Sequence, residues 1–153
     1  MKMHWDEDYF YPFGCFISDV LAGVGHAFIG YDIGWLGNII VLPGYRHRGL
    51  GTELAATISL FLTKKGCKTQ LLFATEMGER VYKKLGFKPF EEYSFFRGEK
   101  MGDGPNDSNI RKLEEKDFLQ VLKLDRKSTG EIRQRFLLKY AGSGWVHLSD
   151  DSQ

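Results

Sequence analysis

Asn38-Ile39-Ile40-Val41-Leu42-Pro43-Gly44-Tyr45-Arg46-His47-Arg48-Gly49-Leu50-Gly51-Thr52 carries an apolar run into a Pro-Gly stop, crosses a basic, glycine-bearing turn and enters a long apolar-periodic segment at Thr52. The pattern predicts strand, loop and helix, with the glycines at the helix start. Glycines at 49 and 51 remove the Cβ atoms that would keep another group away, so successive backbone N–H groups can converge on one anion. Phosphate suits such a place. A helix start offers N–H donors without partners and the positive end of the dipole, and Arg46, His47 and Arg48 add charge or donors. A tight strand-to-helix turn without a ligand is the bland alternative. The dinucleotide fingerprint fails because Leu54 stands where its third glycine belongs, and the Gly-Lys-Ser/Thr phosphate loop fails because Thr52-Glu53 follows Gly51.

Downstream of the turn, Leu54, Ile58, Phe61 and Leu62 share one helical face, closed by Lys64-Lys65-Gly66. Thr69 to Ala74 has the composition of a buried strand. A second helix follows, packing through Met77, Val81 and Leu85 and stopped by Gly86. Phe87 to Phe96 predicts an extended segment at a sheet edge. Upstream, Cys15 to Val20, His26 to Tyr31 and Trp35 to Leu42 read as a three-stranded meander that turns at Leu21-Ala22-Gly23-Val24-Gly25. The aromatic residues Trp5, Tyr9, Phe10, Tyr11 and Phe13 cap a core or line a pocket.

Arg-x-x-Gly-x-Gly after a strand resembles the acetyl-coenzyme A pyrophosphate loop of the GNAT superfamily of N-acetyltransferases. Leu71 to Thr75 resembles that family's next strand, and Ala74 to Phe87, ending in Tyr82-x-x-Leu85-Gly86-Phe87, resembles its last helix. The resemblance implies an α/β (α+β) fold: a mixed, mostly antiparallel central sheet flanked by helices. That family normally opens with a strand and two helices, whereas about a dozen residues precede the meander here. A strand-helix-helix-strand pattern follows at the carboxyl end instead, as if the opening unit were displaced, and it resembles the start of the second half of a tandem GNAT protein.

The expected organisation is therefore a core over 1–98 that binds acetyl-coenzyme A, a linker over 99–108, and a tail over 109–153. The tail reads as a strand at Asn109 to Leu113, a helix over Glu115 to Lys123, a capping box at Ser128-x-x-Glu131, a helix packing through Ile132, Phe136, Leu137 and Tyr140, and a last strand near Trp145. Three arrangements follow: the tail completes the core in cis, exchanges into a second molecule to give a homodimer, or packs as an incomplete appendage. Burial of Phe118, Phe136 and Leu137 favours the first two. A linker of this length spans roughly 35 Å when extended, enough for either route.

With 153 residues, 42% of them apolar, the chain supports one compact domain with a real core rather than two. Twenty-one basic against 20 acidic residues give a net charge of +1, which argues against a nucleic-acid or membrane partner. Cys15 and Cys67 lack metal-ligand spacing, so no metal is expected. Reduced thiols and an acidic amino terminus suggest a cytoplasmic protein.

Acetyl transfer to an amine requires a held donor, a neutral amine, a stabilised oxyanion and a proton for the departing thiolate. The resemblance implies that Arg46, His47, Arg48, Gly49, Leu50, Gly51 and Thr52 hold the pyrophosphate, and that backbone groups of Val41 and Leu42 pair with the pantetheine arm. It also implies that Tyr82 protonates the thiolate after direct attack by a primary amine of a small molecule or peptide. Asp32, His26 and Glu76 are candidates for the base, each also readable as a turn, core or capping residue, and water is a fourth. The competing reading is an acyl-coenzyme A binding module, or an incomplete GNAT fragment, without turnover.

Overall fold

The structure, a computed structural model, describes residues 9–99 and 109–148. Trp5 and residues 100–108 of the expected linker lie outside them. The chain forms two compact units, Met1–Phe90 and Glu91–Gln153.

In the first unit, strands β1 (Phe10–Ile17), β2 (Val20–Ile29) and β3 (Ile33–Val41) form an antiparallel meander. Helix α1 (Leu50–Lys64) crosses to β4 (Thr69–Leu72), which pairs parallel to β3, and α2 (Glu76–Lys84) follows. The sheet order is β1-β2-β3-β4. The expected mixed, mostly antiparallel sheet flanked by helices is the architecture found.

The first hairpin turns elsewhere than the sequence suggested. Ser18 and Asp19 take φ of 45° and 66°, joining β1 directly to β2, while the segment Leu21 to Gly25 lies within β2. Asp tolerates the left-handed region that a two-residue hairpin requires. Gly25, read as part of a turn, serves packing instead, as does Gly34. A Cβ at Gly25 would stand 2.8 Å from Ile58 Cδ1, and one at Gly34 would stand 2.6 Å from Leu62 Cδ2, so α1 lies directly on glycine backbone. Ala27, Leu36, Leu54, Ile58, Leu62 and Cys67 form the buried core between helix and sheet.

Gly34 and Leu62 should consequently be coupled. Leu62→Ala is expected to cost about 3 kcal/mol through the cavity it leaves, and Gly34→Ala about 1–2 kcal/mol through overpacking. Urea unfolding of the double variant should show a loss smaller than the two added together, because each change relieves the other; simple additivity would contradict the direct contact.

Both helices of this unit end alike. Cys67 N–H donates to Leu62 O at 3.1 Å and Gly66 N–H to Thr63 O at 3.0 Å; Phe87 N–H donates to Tyr82 O and Gly86 N–H to Lys83 O, both at 3.1 Å. Gly66 and Gly86 hold the left-handed φ that these paired bonds need. Each stop turns the next residue, Cys67 or Phe87, toward the core. Met77 departs from the expected packing stripe of α2 and is 75% exposed, leaving Val81 and Leu85 as its partly buried positions. Tyr93, Phe95 and Phe96 also depart from expectation: they join no strand and are largely exposed.

In the second unit, β5 (Ile110–Lys112) pairs antiparallel with β6 (Trp145–His147), forming a two-stranded sheet of its own rather than extending the four-stranded one. Helices α3 (Phe118–Thr129) and α4 (Gln134–Tyr140) lie between them in sequence. The expected capping box is not one. Ser128 lies inside α3, which runs on to a left-handed Gly130, and Ile132 precedes α4. The capping box sits at Glu114 and Asp117, where Asp117 also accepts both terminal nitrogens of Arg111, at 2.7 and 2.8 Å. That fork holds the Asp117 carboxyl well below the usual carboxylate range.

Candidate functional site

The basic turn between β3 and α1 follows from three local constraints. Pro43–Tyr45 makes one 3-10 turn, in which Tyr45 N–H donates to Leu42 O at 2.9 Å. Arg46 Nε donates to Val41 O at 3.0 Å, tying the turn back to the strand end. His47 and Gly49 then take positive φ, 62° and 83°, and Gly49 caps α1. Gly49 O accepts the N–H groups of Thr52 and Glu53.

What this leaves unused is the decisive feature. Among the described residues, the five consecutive N–H groups from His47 to Gly51 donate to nothing. They lie at the positive end of α1, and Arg46, His47 and Arg48 are exposed beside them, with the Arg48 guanidinium 5.3 Å from the Tyr45 ring centre. Such a nest suits a phosphate or pyrophosphate group. The glycines have different reasons. Gly49 is fixed by its left-handed φ, but a Cβ at Gly51 would meet Val41 Cγ2 at an ordinary 3.7 Å. The fold therefore does not demand glycine at 51, whereas a ligand approaching the backbone closely does.

The other expected cofactor contacts are less free. Thr52 N–H is consumed by Gly49, Leu42 N–H donates to Ala22 O at 2.9 Å, and Val41 O already accepts Arg46. Beside these residues the sheet opens. The β3–β4 pairing runs only from Ile33↔Thr69 to Leu36↔Leu72, so from Gly37 onward β3 has no strand on that side among the described residues. A bulge falls at the same place: the β2–β3 register shifts between His26↔Gly37 and Val24↔Ile40, and Asn38 takes φ of 48°. The sequence signalled neither feature, because a bulge is fixed by pairing across strands.

Tyr82 is half-buried on α2. Its ring packs over Gly78, where a Cβ would stand 3.1 Å from Cε2, and meets the edge of Phe87 with centroids 6.1 Å apart. Burial pushes the phenol up, so it keeps its proton at neutral pH. Of the three expected base candidates, Asp32 pairs with Lys68 at 3.4 Å while its carbonyl receives Lys68 N–H, which makes it a turn residue. Glu76 is exposed in the first turn of α2, behind a Thr75 cap. His26 is half-buried in β2. The described residues contain no cluster of three metal-ligating side chains and no helix long and apolar enough to cross a membrane.

Residues 2–87, just over half of the chain, match the Acetyltransferase (GNAT) family. The chain belongs to the GNAT acetyltransferases. Its similarity to Aminoglycoside N(6')-acetyltransferase type 1 of Salmonella typhimurium is 30% identity over 83 residues, covering 50% of this chain and 57% of that protein. Against the Glucosamine 6-phosphate N-acetyltransferase of Trypanosoma brucei brucei it is 34% over 62 residues, covering 40% of this chain and 42% of that one. Among solved structures, aminoglycoside N-acetyltransferase AAC(6')-Iy in complex with CoA superposes with a TM-score of 0.53 at 26% identity, covering 61% of this chain and 79% of that chain. This GNAT chain thus spans about half the length of the curated relatives it matches. The free N–H nest, the opening beside β3 and Tyr82 all fall within the matched residues.

Proposed function

We propose that this GNAT chain binds acetyl-coenzyme A and transfers its acetyl group to a primary amine of a small molecule, in the class of amino sugars. The observation that carries the reading is the nest of five free N–H groups, His47 to Gly51, beside three basic side chains. Several N–H donors and nearby cations match the two charges of a pyrophosphate, and charge-assisted bonds of that kind contribute about 1.5–3 kcal/mol each. The pantetheine arm runs along the free edge of β3 from Val41 and Leu42 toward the opening at Gly37, which brings the thioester to a place where an amine can reach it. The amine is that of an amino sugar because the proteins this chain resembles are aminoglycoside and glucosamine 6-phosphate acetyltransferases.

In the transfer, Tyr82 gives its proton to the departing thiolate. Burial keeps the phenol protonated at neutral pH, so the proton is in place when the thiolate departs. The amine attacks directly, so neither Cys15 nor Cys67 takes part.

A binding module without turnover is the second reading. It is favoured by the sheet face opposite α1, where Phe16 is 63% and Ile40 54% exposed. Thiol release separates the two. With acetyl-coenzyme A and either glucosamine 6-phosphate or an aminoglycoside, a transferase releases thiol in proportion to acetylated amine. Binding without release would leave the module.

A further inference from the structure

Gly37 has no fold-level reason that lies in its own strand. A Cβ built there would stand 2.4 Å from Nε2 and 2.7 Å from Cε1 of His26, its cross-strand partner. The missing side chain is therefore the seat of the imidazole. Phe10 holds the ring from the far side, with centroids 4.9 Å apart. Gly37 is also the first residue of β3 beyond its pairing with β4, and the bulge at Asn38 follows it. An imidazole seated on Gly37 thus stands at the point where the sheet opens.

Its face matters as much as its place. Helix α1 fills the other face, where Gly25, Gly34, Ala27 and Leu36 meet Leu54, Ile58 and Leu62. Among the described residues α1 covers that face, so an amine approaching a thioester at the opening is taken to come on the face of His26. On that face the neighbours of His26 are Phe10 and Pro12 on β1, Val24 and Phe28 along β2, and Trp35 and Gly37 on β3. None of these carries a charge, so among the described residues no carboxylate holds the imidazole protonated.

We propose that His26 is the general base of the transfer, taking the proton of the incoming ammonium above Gly37. The inference rests on the acetyltransferase reading. Nε2 accepts one proton from the ammonium, directly or through one water, and frees the lone pair that forms the N–C bond as the C–S bond breaks. The thiolate takes its proton from Tyr82, the proton shed by the new amide nitrogen restores Tyr82, and His26 returns its own to solvent. Burial pulls the imidazole down from its ordinary value, so His26 is neutral and able to accept a proton at pH 7. Its competence should then be lost as pH falls through that lowered value.

The test compares wild type, His26→Asn and Gly37→Ala by thiol release from acetyl-coenzyme A, with glucosamine 6-phosphate, an aminoglycoside or water as acceptor, over a range of pH. His26→Asn should lose about a hundredfold in kcat/KM at neutral pH, with the gap closing at alkaline pH as the amine loses its proton unaided. The limb set by the lowered imidazole value should vanish, leaving the variant's rate to rise only as the amine itself titrates. Affinity for acetyl-coenzyme A, measured by calorimetry, should stay unchanged. Gly37→Ala keeps the imidazole but displaces it, so a rate loss of about tenfold in a variant that still folds, destabilised by about 1–2 kcal/mol through the same overpacking as Gly34→Ala, is expected. A pH-independent loss, or none, in an active wild type overturns His26 as base. A wild type that binds acetyl-coenzyme A yet releases no thiol to any of the acceptors overturns the transferase reading, and the base with it.

Discussion

Gly51→Glu should lower the affinity for acetyl-coenzyme A about a thousandfold while leaving the protein as stable as before. The two halves of that result have separate causes. A Cβ at position 51 meets only Val41 Cγ2 at 3.7 Å, so the side chain enters open space. The residue lies in the first turn of α1, where a carboxylate is favoured by the helix dipole, and a helical position gains by losing glycine. Stability should therefore rise or hold within about 1 kcal/mol. The same carboxylate stands among the free N–H groups of His47 to Gly51 and repels the pyrophosphate they would hold. Losing two charge-assisted hydrogen bonds at about 2 kcal/mol each gives the thousandfold. Calorimetry beside thermal unfolding reads both. Unchanged affinity in the stable variant would mean that the nest is only a turn.

Tyr82→Phe should lower kcat by about a hundredfold to a thousandfold with the affinity for acetyl-coenzyme A retained. The substitution removes one hydroxyl and keeps the ring that packs over Gly78 and against Phe87, so α2 and its Schellman stop stay in place. Burial already disfavours the tyrosinate, which keeps the wild-type group in its donating form until the pH approaches its raised value. As pH rises through that value the wild-type rate should fall, and the variant should lack this alkaline limb. A variant with the wild-type rate would remove Tyr82 as the acid.

Part of this was legible in the sequence because it depends on residues near one another in the chain. Pro43-Gly44, the arginines, Gly49 and the 54-58-62 stripe specify strand end, basic turn and helix locally, and Leu85-Gly86-Phe87 specifies a helix stop. The failures share a cause as well. Gly23 and Gly25 read as a turn, but tertiary packing claims Gly25 for Ile58, while the hairpin is made by Ser18-Asp19, a pair with a weaker turn signature. Met77 fits the helical period but has no core to meet. Of the candidate site, the nest was readable as a motif. The seat of His26 on Gly37 was not, because it requires the register of β2 on β3 across a bulge.

In the proposed complex the N–H groups of His47 to Gly51 grip the pyrophosphate of acetyl-coenzyme A. Amide resonances of the isotopically labelled protein, followed by NMR as acetyl-coenzyme A is added, decide whether they do. Saturable shifts centred on those five amides, reproduced by coenzyme A and absent in Gly51→Glu, are the expected result. A folded protein whose five amides stay still while acetyl-coenzyme A is added, or whose shifts gather elsewhere, would contradict it.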